Sequence, residues 1–110
     1  MSVSVSIIVP CYNVAAYLDQ CMESLAGQSM EDIEIICVND GSSDRTAEIL
    51  REWRDRDGRV RVIDRKNSGV SAARNSGMEA AAGKYIGFVD PDDVVERNMF
   101  RRLFDAAVEK

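Results

Sequence analysis

Hydrophobic and polar positions alternate in blocks along the chain. Four short apolar runs occupy residues 5–9 (VSIIV), 33–38 (IEIICV), 60–63 (VRVI) and 85–89 (YIGFV). They are rich in β-branched and aromatic residues and too short for helices, so they predict strands. Between them the apolar positions take a helical period. Over residues 14–25, Val14, Leu18, Cys21, Met22 and Leu25 share one face, with Asn13 as the expected N-cap and Gly27 as the stop. A second helix is expected over 44–55, capped by Ser43 or Asp44, with Ala47, Leu50 and Trp53 inward and Gly58 beyond its end. A third, over 70–82, is alanine-rich and bounded by Gly69 and Gly83, which points to close packing on a sheet. The last, over 98–109, sets Phe100, Leu103, Phe104 and Ala107 on one face.

The resulting order, β-α-β-α-β-α-β-α, predicts an α/β fold: a mostly parallel, four-stranded, Rossmann-like sheet with helices on both faces, forming one domain over residues 1–110. Ligands of such sheets bind outside the carboxyl ends of the strands. Those exits read VPCYN, VNDGSSD, IDRKNSGVSAARNSG and VDPDDVV, all polar, whereas the opposite ends read as bland. Pro10 and Pro91 both fall at exits, where a missing backbone donor is tolerated.

Composition narrows the chemistry. There is no histidine, which removes Ser-His-Asp and Cys-His catalysis and His-ligated zinc together. The net charge of −5 argues against nucleic acid and anionic membrane as partners. An anionic ligand would need a metal or placed arginines to offset that charge. The three cysteines, Cys11, Cys21 and Cys37, have no CxxC spacing and read as small buried hydrophobes in a reducing compartment. The opening MSVSVSIIVP lacks the basic and long apolar regions of a signal peptide, and no apolar run approaches the ~18 residues of a membrane span.

Each exit taken singly leaves alternatives. The stretch NDGSSD (39–44) is a turn with a helix cap, or it brings Asp40 to a nucleobase N–H or a ribose hydroxyl. NSGVSAARNSG (67–77) can present helix N-terminal amides to an anion, with Arg74 either solvated or reaching a phosphate. DPDD (90–93) is a solvated acidic turn, a site for Mg²⁺ or Mn²⁺, or the home of a nucleophile.

Together the exits resemble the nucleotide-binding half of family 2 inverting glycosyltransferases, which have the GT-A fold. The matching pieces are SIIVPCYN (6–13), VNDGSSDRT (38–46), NSGVSAARNSGMEAAAGKYIGFVDPDD (67–93) and the helix that follows. The resemblance implies a nucleoside diphosphate sugar as donor, most often a UDP-sugar. It implies that the main chain around Pro10 and Tyr12 frames the base, that Asp40 hydrogen-bonds it, and that Arg74 serves the base or diphosphate. Asp90 and Asp92 would form the DxD motif, Asp90 toward the ribose and metal, Asp92 ligating Mn²⁺ or Mg²⁺. Pro91 replaces the small residue common between them.

An inverting transferase also needs a general base, which in this family lies far beyond the DxD motif. The expectation is therefore that residues 1–110 are an N-terminal piece, with the base and the glycan or lipid-linked acceptor site beyond Lys110. Asp105 and Glu109 match no base motif. The face that the missing part would cover should expose apolar area and favour self-association. The expected location is cytoplasmic, with any contact to the inner face of the membrane made through absent segments.

Other readings compete. FVDPDDVV also fits the motif of haloacid dehalogenase-type phosphatases, with Asp90 as nucleophile and Asp92 as acid/base, although three strand–helix units precede it here. A receiver domain would need an acidic pair where this chain has PCYN, and a dinucleotide-binding domain would need a GxGxxG that is absent. A nucleotide-binding module without turnover is the non-enzymatic alternative.

Overall fold

The computed structural model describes residues 2–109. The chain runs β1 (Val5–Cys11), α1 (Ala15–Ala26), β2 (Ile33–Asp40), α2 (Thr46–Arg56), β3 (Val60–Arg65), α3 (Val70–Ala80), β4 (Tyr85–Phe88) and α4 (Met99–Val108). Every predicted element is present. The first three strands run further than their apolar cores, because their polar ends still find ladder partners: Pro10 pairs with Val38, Cys11 with Asn39, and Asp40 with Arg65.

The four strands form one sheet in the order β3-β2-β1-β4, and all three pairings are parallel. Pro10 lies inside a central strand without losing a bond. Val89 N–H donates to the Ile8 carbonyl at 3.1 Å, so alternate positions of β1 face β4, and Pro10 lies past the last of them.

Alternation along β1 and β2 sorts two cores. Ile7, Val9, Ile35 and Cys37 pack on one face with Leu18 and Met22 of α1, Leu50 and Trp53 of α2, and Phe100 of α4. Ile8, Ile36 and Val38 pack on the other with Ala73 of α3. The chain steps outward from β1 to β3 over one face and returns to β4 over the other, as a fixed crossover hand requires. Helix α3 sits very close to the sheet. A Cβ built on Gly77 would lie 2.5 Å from Ile8 Cγ2, so any larger residue must displace Ile8 or the helix.

Four expectations change. Ala47 is only half-buried, and Ile49 takes the inward position on α2 with Leu50 and Trp53. Asn13 does not cap α1, whose N-cap is Val14 without a side-chain bond. Ser43 does not cap α2 either; its N-cap is Arg45, and Asp44 Oδ1 accepts the Thr46 N–H at 2.9 Å. The amino ends of the strands are not bland. Ser6 Oγ donates to Glu34 at 2.6 Å and accepts the Gly83 N–H at 2.8 Å, while Glu34 also accepts from Ala82 N–H (2.7 Å) and Arg61 (2.9 Å). Burial works to raise the Glu34 carboxyl, but hydrogen bonds from Ser6, Ala82 and Arg61 outweigh it and hold the group below its ordinary value. An isolated Glu in a strand gives no hint of this, because its partners arrive from neighbouring strands β1 and β3 and from the loop before β4, all distant in sequence.

All three cysteines are buried and free, as expected. Burial raises the thiols of Cys11 and Cys37 well above the usual range. Among the described residues no helix is long and apolar enough to cross a membrane. Strand β4 is an edge, and Ile86 and Phe88 on it, with Leu103 on α4, are 42%, 45% and 55% exposed. Exposed apolar side chains thus lie along this edge and on the helix beside it.

Candidate functional site

The chain leaves β2 for α2 on one face of the sheet and leaves β3 for α3 on the other. A crevice opens between the carboxyl ends of β1 and β2 and the start of α3. It is a cleft of about 170 Å³ lined by Pro10, Cys11, Tyr12, Asp40, Val70 and Ala73. Tyr12 stands half exposed at its mouth.

Asp40 forms the cleft's polar wall. Its Oδ1 accepts the Ser68 N–H and its Oδ2 the Gly69 N–H, each at 2.9 Å. Gly69 is the N-cap of α3 and Ser68 precedes it, so Asp40 ties the start of the helix and its lead-in loop to the end of β2. The loop after β2 is stitched to the same place. The Asn67 side chain donates to the Asp40 carbonyl at 3.0 Å. Gly41 takes φ +72°, and a Cβ there would fall 2.6 Å from the Asn67 nitrogen. Each carboxylate oxygen accepts more than one bond, so Asp40 retains acceptor capacity toward the cleft.

Arg74 lies one turn into α3. Its Nη2 is 3.7 Å from Asp90 Oδ1, and its guanidinium lies 5.9 Å from the centre of the Phe88 ring. Arg74 thus joins the cleft side of α3 to the end of β4.

Beyond β4 the chain turns sharply, with Asp93 N–H donating to the Asp90 carbonyl at 3.0 Å. Pro91 occupies the first central position of this turn, where its fixed φ is favoured. The turn gathers the carboxylates of Asp90, Asp92 and Asp93, whose oxygens lie within 4.8 Å of one another, all exposed. Cys21 sits beneath the turn, its Sγ 3.7 Å from the Asp90 carbonyl. Burial and the charges of Asp93, Asp92 and Asp90 push its thiol up to about 12.

The candidate nucleotide and metal residues therefore all lie along the carboxyl edge. Pro10, Tyr12 and Asp40 meet in the cleft. Arg74, Asp90 and Asp92 form the neighbouring charged cluster. Asp93, which the sequence placed in the acidic stretch but not in the DxD pair, joins that cluster, and its adjacency to Asp92 was the available signal. The Ser68 and Gly69 amides had no signal as Asp40 partners, because 28 residues separate Ser68 from Asp40.

Known proteins share this sequence and this fold. Residues 6–110 match the family described as glycosyl transferase family 2. Over 103 residues the chain is 54% identical to the uncharacterized glycosyltransferase EpsJ of Bacillus subtilis, covering 94% of this chain and 30% of that one. It is 43% identical to glycosyltransferase GlyG of Streptococcus pneumoniae, covering 100% of this chain and 37% of that one. The chain thus spans only about a third of the length of these curated relatives. Among solved structures, S. aureus TarS in complex with UDP-GlcNAc superposes with a TM-score of 0.83 at 33% identity, over 96% of this chain and 30% of that one. The mannosyltransferase PcManGT of Pyrobaculum calidifontis, in complex with GDP-Man and Mn²⁺, gives 0.83 at 22% identity, over 97% of this chain and 32% of that one, and there the likeness is one of fold alone. The four-stranded parallel sheet is that of a GT-A glycosyltransferase, and the chain belongs to glycosyl transferase family 2.

Proposed function

We propose that these residues form the donor half of an inverting glycosyltransferase and hold a nucleoside diphosphate sugar, a UDP-sugar in the first instance, with a divalent cation. The observation that carries this reading is the continuity of the edge. A cleft sized for a planar base, walled by Pro10, Tyr12 and Asp40, leads past Arg74 to three clustered carboxylates. The UDP-GlcNAc complex of TarS supports the choice of nucleotide.

Each residue then has a chemical task. Tyr12 and Pro10 flank the base. Asp40 accepts a ring N–H. Arg74 swings its planar fork from Asp90 to the diphosphate, which it can grip through two bonds. Asp90 and Asp92 fit a hard divalent ion: they are oxygen donors, close together and open to water that would complete the shell. When bound, Mn²⁺ or Mg²⁺ would stabilise charge on the departing nucleoside diphosphate.

The base that deprotonates the acceptor hydroxyl, and the glycan or lipid-linked acceptor itself, belong in this reading to parts of the whole protein outside residues 1–110. By itself this chain would bind without turning over. The phosphatase alternative is disfavoured, since Asp90 follows the edge strand β4 and the family match covers the motif.

Calorimetry tests the proposal. UDP should bind this chain more tightly with Mn²⁺ than in chelator, and Asp92→Asn should remove the difference. Equal affinity in chelator would refute the metal role, and absence of UDP binding would refute the donor site. Sugar transfer by residues 1–110 to any glycan acceptor would overturn the placement of the base.

A further inference from the structure

Arg65 ends β3 directly opposite Asp40, its register partner in the sheet. Its guanidinium folds back over α3. Nη1 donates to the Ala72 carbonyl at 2.8 Å and to the Ser76 hydroxyl, two sites one helical turn apart. Nε lies 3.5 Å from Asp40 Oδ1, buried and without a hydrogen bond of its own. The Asp40 side chain is only 5% exposed. A carboxylate so dry must have its charge met within the protein. The Ser68 and Gly69 amides meet part of it, and the Arg65 guanidinium supplies the positive charge.

The position matters because α3 is keyed to the sheet through small residues. Among the described residues no other helix shares its face of the sheet, and it rests on Ile8 through Gly77, with Ala73 as its buried side chain. Small side chains allow close approach but give little resistance to rolling or sliding. Arg65 grips the helix on its β3 side. On the β4 side Arg74 reaches Asp90. A roll of α3 would displace the Gly69 amide, the Val70 and Ala73 wall, and Arg74 together.

We propose that Arg65 is a positioning residue for the nucleotide cleft. Clamped to Ala72 and Ser76 and facing Asp40, it holds α3 in the one roll that aligns Asp40, Val70 and Arg74 on a shared ligand. This rests on the nucleotide reading above. Arg65 touches no ligand in this scheme, and it acts through Asp40 and α3.

The test compares the chain with Arg65→Met, which keeps the stem, and Arg65→Lys, which keeps the charge. Hydrogen exchange is followed at the Ser68 and Gly69 amides, and UDP affinity is measured with Mn²⁺ well below the melting temperature. Arg65→Met should speed exchange at both amides and weaken UDP by about tenfold, a change of about 1.4 kcal/mol. Arg65→Lys should recover part of that affinity. Unchanged exchange would refute the clamp. Faster exchange with unaltered UDP affinity would make Arg65 a stability residue only and overturn the proposal. Wild-type chain that binds no UDP would sink the nucleotide reading, and the positioning role with it, while exchange still reports on the clamp. Should Arg65→Met fail to fold, Ser76→Ala removes one anchor and must show the same paired effects in smaller measure.

Discussion

Asn13 and Asp44 cross-tie the first two strand exits. Asn13 Oδ1 accepts the Ser43 and Asp44 N–H groups at 2.8 and 3.3 Å, and Asp44 Oδ2 accepts the Ala15 N–H at 3.2 Å. Each side chain serves the loop of the other. Asn13 holds φ +50°, a left-handed conformation that asparagine tolerates better than alanine. The tie fixes Tyr12 beside the cleft. Asn13→Gly loses the acceptor but keeps the backbone free, for a cost of about 1 kcal/mol. Asn13→Ala adds left-handed strain of about 1–2 kcal/mol. Urea melts of the two variants should rank them in that order; equal stability would deny the strain.

Gly77→Ala sets two effects against each other. Alanine improves an exposed helix interior by about 1 kcal/mol. Here the new methyl meets Ile8 Cγ2 at 2.5 Å, in a core where overpacking costs about 1–3 kcal/mol. Sheet contact should prevail, and the variant should melt earlier. A higher melting temperature would mean that α3 stands further from Ile8.

Glu34 should make stability pH-dependent. Its folded carboxyl is held below the ordinary 4.5, so its contribution is complete above that value and is lost as pH falls through the folded value. Glu34→Gln removes the charge-assisted bonds from Ser6, Ala82 and Arg61, at about 2 kcal/mol near pH 7. The gap between wild type and variant should close as pH drops below 4.5. A gap that persists at low pH would assign the loss to packing instead.

The β4 edge should associate. Its outer backbone groups are unpaired within the described sheet, and Ile86 and Phe88 project beside them. Light scattering of the purified chain should show concentration-dependent oligomers, and Ile86→Lys should suppress them. A strict monomer at high concentration would contradict this.

The order of elements was legible because it rests on local period: β-branched runs make strands, and Leu18, Met22 and Leu25 recur on one helical face. The carboxylate cluster was legible for a related reason. Asp90, Asp92 and Asp93 are contiguous, so one turn suffices to gather them. The reach of the strands was less legible, since Asp40 and Arg65 look like loop residues until their ladder partners are known.

What the sequence determined by itself was the period of each element and the chemistry at each exit. Tertiary structure alone decided which strand ends meet. Asp40 joins Ser68, Gly69 and Arg65, Asn13 joins Asp44, and Glu34 joins Ser6 and Ala82 across 25 to 48 residues. These partners depend on strand order and register. A buried charge finds its counterpart through the fold, because only the assembled sheet brings such distant groups within a bond's length.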